Sequence, residues 1–160
     1  MMKITLIALS GLKEAYWIAA AQEYEKRLSR YCKLDIVEIP VARLPDNPSQ
    51  SQISAALESE AQLIERKIPT GAEVFAMCIE GKQMSSPAFS KKLSDIADTG
   101  SGHAVFIIGS SFGLSEKIKA RAKHRFSMSE MTFPHKLARV MLLEQIYRAF
   151  QISAGGEYHK

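Results

Sequence analysis

Two short runs, Val74–Ile79 (VFAMCI) and Ala104–Ile108 (AVFII), are apolar at every position. A strand with one wet face alternates apolar and polar residues, so a strand without alternation is covered on both faces. Two such strands require helices on both sides of a sheet. The rest of the chain supplies them. Lys3–Leu9 (KITLIAL) reads as a strand broken by Gly11. From Lys13 to about Arg30, Tyr16, Trp17, Ala20, Tyr24 and Leu28 recur at threes and fours, which predicts a helix. Leu34–Ile39 (LDIVEI) alternates, as in a strand near an edge. Pro40, Pro45 and Pro48 make Pro40–Gln50 a loop, and a polar helix follows from about Ser51 to Lys67.

After the third strand, Gly81 is read as its end, and Ser85 or Ser86 caps a helix with Pro87 in its first turn. Thr99–Gly102 is a turn, a helix starts near Ser115, and Arg125–Met128 is a short strand. Ser129–Pro134 is an irregular loop, and His135 to about Ser153 carries the strongest helical pattern. The alternation predicts an α/β fold over residues 1–160, a single domain with a mostly parallel sheet and helices on both faces. Ligands in such folds bind outside the carboxyl ends of the strands. Three segments fall there: the residues after Ile79, the Gly109–Leu114 loop and Met128–Pro134.

Several chemistries lack their residues. No phosphate-gripping G-x-x-x-x-G-K-[ST] and no G-x-G-x-x-G is present. The four histidines and two cysteines have no metal-ligand spacing. Cys32 and Cys78 are too few for a disulfide framework and read as core residues. No apolar run approaches the roughly 20 residues that span a bilayer, and Ile4–Leu9 is too short for a signal-peptide core. A cytoplasmic protein without membrane contact is expected. The charge is uneven: the net is +4, yet Ser115–Arg139 alone sums to +5. That stretch holds Lys117, Lys119, Lys123 and Arg139 and suits a polyanion such as RNA, with a solvated helix face as the plain alternative.

Three other features point beyond packing. Gly109 and Gly113 flank a loop in which backbone can approach a ligand. Phe126–His135 crowds two Phe, two Met and three hydroxyl residues into a loop, which is therefore buried or wraps something. The helix from His135 is apolar over much of its circumference, so it is expected to be covered on two sides, by its sheet and by a second subunit or else wholly within the monomer. The terminal Glu157-Tyr158-His159-Lys160 offers a stacking ring, an imidazole and an ammonium for RNA, or simply frays.

Taken together, KITLIALSGLKEAYW, EYEKRL, IEGKQMSS, VFIIGSSFGL, FSMSEMTFPHKLARVMLLEQIYRAF and the terminal EYHK resemble the small SPOUT-class methyltransferases that modify large-subunit ribosomal RNA, the pseudouridine N3-methyltransferases. The resemblance covers essentially the whole chain. It implies a C-terminal trefoil knot, a homodimer, and S-adenosyl-L-methionine as methyl donor without a metal. It implies pseudouridine 1915 of 23S rRNA as the target, in the assembled ribosome. By position, the cofactor residues would be Met77, Gly109, Ser110, Met128, Ser129, Glu130, Met131, Thr132 and Phe133. His159, His135 and Tyr158 are the candidates for handling the proton of the target nitrogen. Lys117, Lys119, Lys123, Arg139 and Lys160 would contact RNA. The family usually has two consecutive glycines where this chain has Gly109 and Ser110, so either Ser110 needs no left-handed conformation or the loop shifts. A non-catalytic RNA-binding or ribosome-assembly protein on the same fold, or a methyltransferase for another RNA, are the rival expectations.

Overall fold

The computed structural model describes residues 1–159. Its strands are β1 (Met2–Leu9), β2 (Cys32–Ile39), β3 (Glu73–Gln83), β4 (His103–Ile108) and β5 (His124–Ser127). Its helices are α1 (Ala15–Leu28), α2 (Gln50–Glu65), α3 (Ser86–Asp98), α4 (Glu116–Arg121) and α5 (His135–Ser153). The strands form one sheet in the order β2-β1-β4-β3-β5, and every pairing is parallel. The alternating β2 lies at an edge, as its pattern requires.

The unbroken apolar run of β4 is explained by two cores. Ala104, Phe106 and Ile108 enter one, with Ile4, Leu6 and Phe75 and with Leu28, Phe89 and Leu142 from α1, α3 and α5. Val105 and Ile107 enter the other, with Ile7, Leu9 and Val74 and with Ile64 and Ile118 from α2 and α4. Three helices therefore cover one face and two the other. The first core mixes aliphatic and aromatic side chains, with Phe75 and Phe106 stacked at 4.7 Å between centroids, and the second is aliphatic.

Two expectations need correction. Gly81 does not end β3. The strand continues to Gln83, and the register with β5 shifts so that Met77 and Lys82 both face Phe126. The four residues between them bulge out. A Cβ on Gly81 would lie 2.7 Å from the backbone of Arg125 and Phe126, so glycine is what lets the strand return onto its neighbour. The burial of α5 also has a source within the protomer. It lies over the sheet between α1 and α3, with Ser90 donating to the Ala149 carbonyl at 2.6 Å and Ser86 to Gln145 at 2.8 Å. Leu142, Leu143, Ile146 and Ala149 are buried without a second subunit, whereas Leu137, Val140 and Met141 stay half-buried. After β5, at the far edge, the chain returns across the carboxyl ends of the strands to start α5 beside Ser10, near the sheet's middle. Among the described residues, no helix is long and apolar enough to cross a membrane.

Candidate active site

The three segments meet around one cleft of about 740 Å³ at the carboxyl end of the sheet. That volume lies within the range of small-molecule sites, which is about 300–1,000 Å³. One wall is the β3 bulge, with Met77, Cys78, Ile79 and Glu80. A second is the β4–α4 loop from Ile108 to Leu114. The third is the β5–α5 connection, including Met128, Ser129, Met131, Thr132 and Phe133, closed by His135. Glu130, expected on this wall, is exposed and does not line the cleft. The connection is also more open than its composition suggested: Met131 is 73 % exposed, so it borders a space rather than filling a core. Cys78 is likewise no core residue; it sits half-buried in the cleft wall, and burial pushes its thiol above the usual range. Cys32 is buried as expected, with its thiol pushed up to about 11 by desolvation.

The β4–α4 loop is a tight turn. Gly113 N–H donates to the Ser110 carbonyl at 2.8 Å. A Cβ on Gly109 would lie 2.3 Å from the Gly113 carbonyl oxygen, so Gly109 is required by the loop's own closure before any ligand arrives. Gly113 has φ +80°. Ser110 does not adopt the left-handed region, so a serine there costs no backbone strain. Its hydroxyl instead donates to Glu60 of α2 at 3.4 Å.

At the start of α5, His135 is half-buried, and its Nε2 lies 3.5 Å from Ser10 Oγ. Burial, with Lys136 and Arg139 adding to it, holds its pKa below the ordinary imidazole value, so the ring is neutral at pH 7. Ser10, the residue after β1, has φ +77°, a strained conformation for a non-glycine residue. Its carbonyl accepts from Arg139 Nη2 at 2.7 Å, and Arg139 Nη1 bonds Glu38 Oε2 at 3.0 Å. Arg139 is 5 % exposed and committed to these partners. It ties α5 to the ends of β1 and β2 and is removed from the RNA-contacting set.

The remaining cations of the basic stretch do not form one face. Lys119 lines the cleft and is folded onto Glu80, whose carboxyl its hydrogen bond holds below the usual range. Lys117, in the first turn of α4, is exposed 3.6 Å from Glu58. Lys123 lies at the opposite, amino end of the sheet, 3.2 Å from Glu73. Lys160 lies outside the described residues.

The tail packs on the far end of α5. Tyr158 O–H donates to Glu144 Oε1 at 3.2 Å, the Tyr158 ring lies 5.0 Å from that of Tyr147, and the Arg148 guanidinium sits 4.7 Å over it. Arg148 Nη1 lies 3.3 Å from His159 Nδ1. A guanidinium only donates, so Nδ1 accepts and the imidazole proton sits on Nε2. Burial and the Glu144 charge push the Tyr158 hydroxyl up to about 12, so it stays protonated. At about 1.5 Å of rise per residue, Arg148 is about 20 Å along the helix from His135. Within one chain the structure does not bring Tyr158 and His159 to the cleft that His135 lines. Sequence reasoning missed Ser10, Glu38 and Glu60. Their partners are 18 to 129 residues away, and no local pattern marks them.

A parallel sheet covered by helices on both faces, with a large cleft walled by strand-end loops and a glycine turn, defines a ligand-binding α/β protein. The comparisons narrow this. The family model described as "Predicted SPOUT methyltransferase" matches residues 2–159. Over 159 residues, 99 % of this chain and 100 % of each relative, it is 46 % identical to Ribosomal RNA large subunit methyltransferase H 1 of Clostridium perfringens. Over the same span it is 47 % and 45 % identical to the proteins named Ribosomal RNA large subunit methyltransferase H in Clostridium beijerinckii and Clostridium botulinum. The chain belongs to the SPOUT methyltransferase family.

Proposed function

We propose that the protein methylates large-subunit ribosomal RNA in the cytoplasm, with S-adenosyl-L-methionine held in the cleft and N3 of pseudouridine 1915 of 23S rRNA as acceptor, in the assembled ribosome. The observation that carries this reading is the meeting of three strand-end segments around one cleft, in a chain matched end to end by relatives that bear the rRNA-methyltransferase name.

The residues suit the donor. Met77, Ile108, Leu114 and Phe126 supply apolar wall for a flat base, and the Gly109–Gly113 turn presents backbone with little side chain between. No carboxylate cluster crowds the interior; Glu80 is neutralised by Lys119 at the rim. When bound, the donor supplies a methyl group already activated on a sulfonium. The protein's part is then to orient the two reactants in line and exclude water, a contribution that alone reaches about 7–11 kcal/mol in favourable cases. The acceptor nitrogen must also lose a proton. His135, neutral and lining the cleft, can accept it at Nε2, the nitrogen now beside Ser10.

The tail requires a second copy. Tyr158 and His159 lie about 20 Å along α5 from their own cleft, so in this reading they serve the cleft of a partner protomer. We therefore propose a homodimer in which the half-buried Leu137, Val140 and Met141 are covered. Tyr158 would contribute an O–H donor and a stacking face, and His159 would present Nε2–H. Lys119 lines the cleft and would meet phosphate, as would the exposed Lys117 in the same short helix; Lys123, at the other end of the sheet, would contribute little.

The test is mass mapping of modified nucleosides in 23S rRNA from a deletion strain, with purified protein and S-adenosyl-L-methionine added back to its ribosomes. Loss and restoration of one methylated pseudouridine is expected. An unchanged rRNA map, with cofactor binding intact, would assign the activity to another RNA. Absence of any S-adenosyl-L-methionine binding would favour a non-catalytic RNA-binding role.

A further inference from the structure

Behind the β4–α4 turn lies a second, smaller cavity of about 130 Å³. Ser110, Ser111 and Phe112 line both it and the main cleft, so the turn is a partition one residue thick. At the floor of the small cavity sits Glu60 of α2, 4 % exposed. It is the one buried carboxylate among the described residues, and no cation pairs with it. Its surroundings are apolar: Val41, Leu44, Ile53, Leu57 and Phe112. An unpaired carboxylate is costly to bury, so a residue of this kind is retained only where its hydrogen bonds hold something in place.

Its two partners identify what is held. Glu60 Oε2 accepts from the Ala42 amide at 3.0 Å, in the loop after β2. Glu60 Oε1 accepts from Ser110 Oγ at 3.4 Å. Among the described residues, this is the one side-chain hydrogen bond that ties the turn to another element. The turn's other bond, Gly113 to Ser110, is internal, and Ser111, Phe112 and Gly113 are exposed. The position of this cleft wall is therefore set from behind, by a residue that never enters the cleft.

We propose that Glu60 is a positioning residue for the cofactor-binding turn. It acts through Ser110 and links that turn to the loop after β2. The inference rests on the proposed reading that the main cleft holds S-adenosyl-L-methionine. It accounts for a serine at a position where a second glycine would close the turn equally well: the hydroxyl gives the turn an external anchor.

The experiment measures binding of S-adenosyl-L-methionine by calorimetry, and thermal unfolding without ligand, on the full chain. Glu60→Ala and Ser110→Ala should each weaken binding about tenfold, and the double variant should be no worse than either single one, since both remove the same link. Glu60→Gln keeps an acceptor for Ala42 and a hydrogen-bonding group for Ser110, and should restore affinity to within about twofold. Ser110→Ala should lower the melting temperature by only about 2–4 °C, because it empties no core and removes a single partner of Glu60 Oε1. Wild-type affinity in both alanine variants, or strictly additive losses in the double variant, would overturn the proposal. So would a Glu60→Gln variant as weak as Glu60→Ala. If the wild-type chain itself fails to bind the cofactor, the reading of the cleft fails first, and that result is distinct from all the others.

Discussion

The two ends of α5 are built on opposite plans. At its start, Pro134 is the N-cap and provides no side-chain cap, His135 faces a cleft, and Met131 nearby projects into solvent. At its finish, the chain folds back and saturates itself: Glu144 Oε1 accepts from Arg148 Nη2 at 2.6 Å, Arg148 Nε at 3.0 Å and Tyr158 at 3.2 Å. One end leaves room and donors for something else, and the other has found its partners. The lesson is that a helix with reactive-looking residues at both ends need not carry one site. In the proposed reading, ligand binding belongs to the open end, and the closed end serves the chemistry by presenting its outer groups to another molecule.

The sharpest way to break this comparison is to remove the closed end. Deletion of Tyr158–Lys160 is expected to lower single-turnover methylation of ribosomes about 100-fold, since positioning of the acceptor is lost. S-adenosyl-L-methionine affinity, measured by calorimetry, should stay within about twofold, since the tail lies about 20 Å from the cleft along α5. Loss of cofactor binding would place the tail in the cleft after all. Retention of the full rate at saturation, with weaker and salt-dependent ribosome binding, would reduce the tail to an electrostatic anchor.

A smaller effect distinguishes the open end by pH. His135 is held below its ordinary pKa by burial, then by Lys136 and Arg139, with Glu14 opposing. Its neutral form is therefore the folded form. The unfolded chain takes up the proton first as pH falls below about 6.5, so stability declines in that window until the folded ring also protonates. In the proposed reading protonation also places a cation in the cleft that holds the donor's sulfonium, so cofactor affinity should fall about fivefold between pH 7.5 and 5.5. His135→Gln should flatten the affinity profile. His103, also lowered by burial, bonds Thr5 at the amino end of the sheet, and His103→Gln should leave that profile unchanged while altering the stability slope.

The smallest expected effect concerns Ser10, which touches the open end through His135 and Arg139. Ser10→Gly should raise stability in urea unfolding by about 1 kcal/mol, by relieving a left-handed conformation. If stability instead falls, the contact of Ser10 Oγ with His135 outweighs the strain.

What could be read from residues alone was what depends on neighbours in the chain. α5 spans His135–Ser153 as its periodicity predicts, and Ser115 caps α4 through its side chain, which accepts from Ile118 N–H at 3.2 Å. The three strand-end segments could also be located, because a parallel sheet places every such segment at one end. What could not be read depends on partners remote in sequence. Gly81 looks like a strand terminator until β5 is laid against it. Arg139 looks like a surface cation until Glu38 and Ser10 are brought to it across 101 and 129 residues. Lys117 and Lys123 look like one patch until α4 carries them to opposite ends of the sheet.

The strand order also governs how this chain is born. β1 is synthesised first but lies inside the sheet, between β2 and β4, with Lys3 opposite His103. Translation at roughly 5–20 residues per second separates those partners by roughly 5–20 seconds. Through that interval a nascent β1, apolar at Ile4, Leu6, Ile7 and Leu9, can pair with β2 on one side while its other edge stays open. Such non-local parallel pairing is slow to form and exposes an edge that other chains can join. The centre of this sheet is thus the last part of β1's environment to be completed, and the vulnerable moment in the molecule's life falls before residue 108 has left the ribosome.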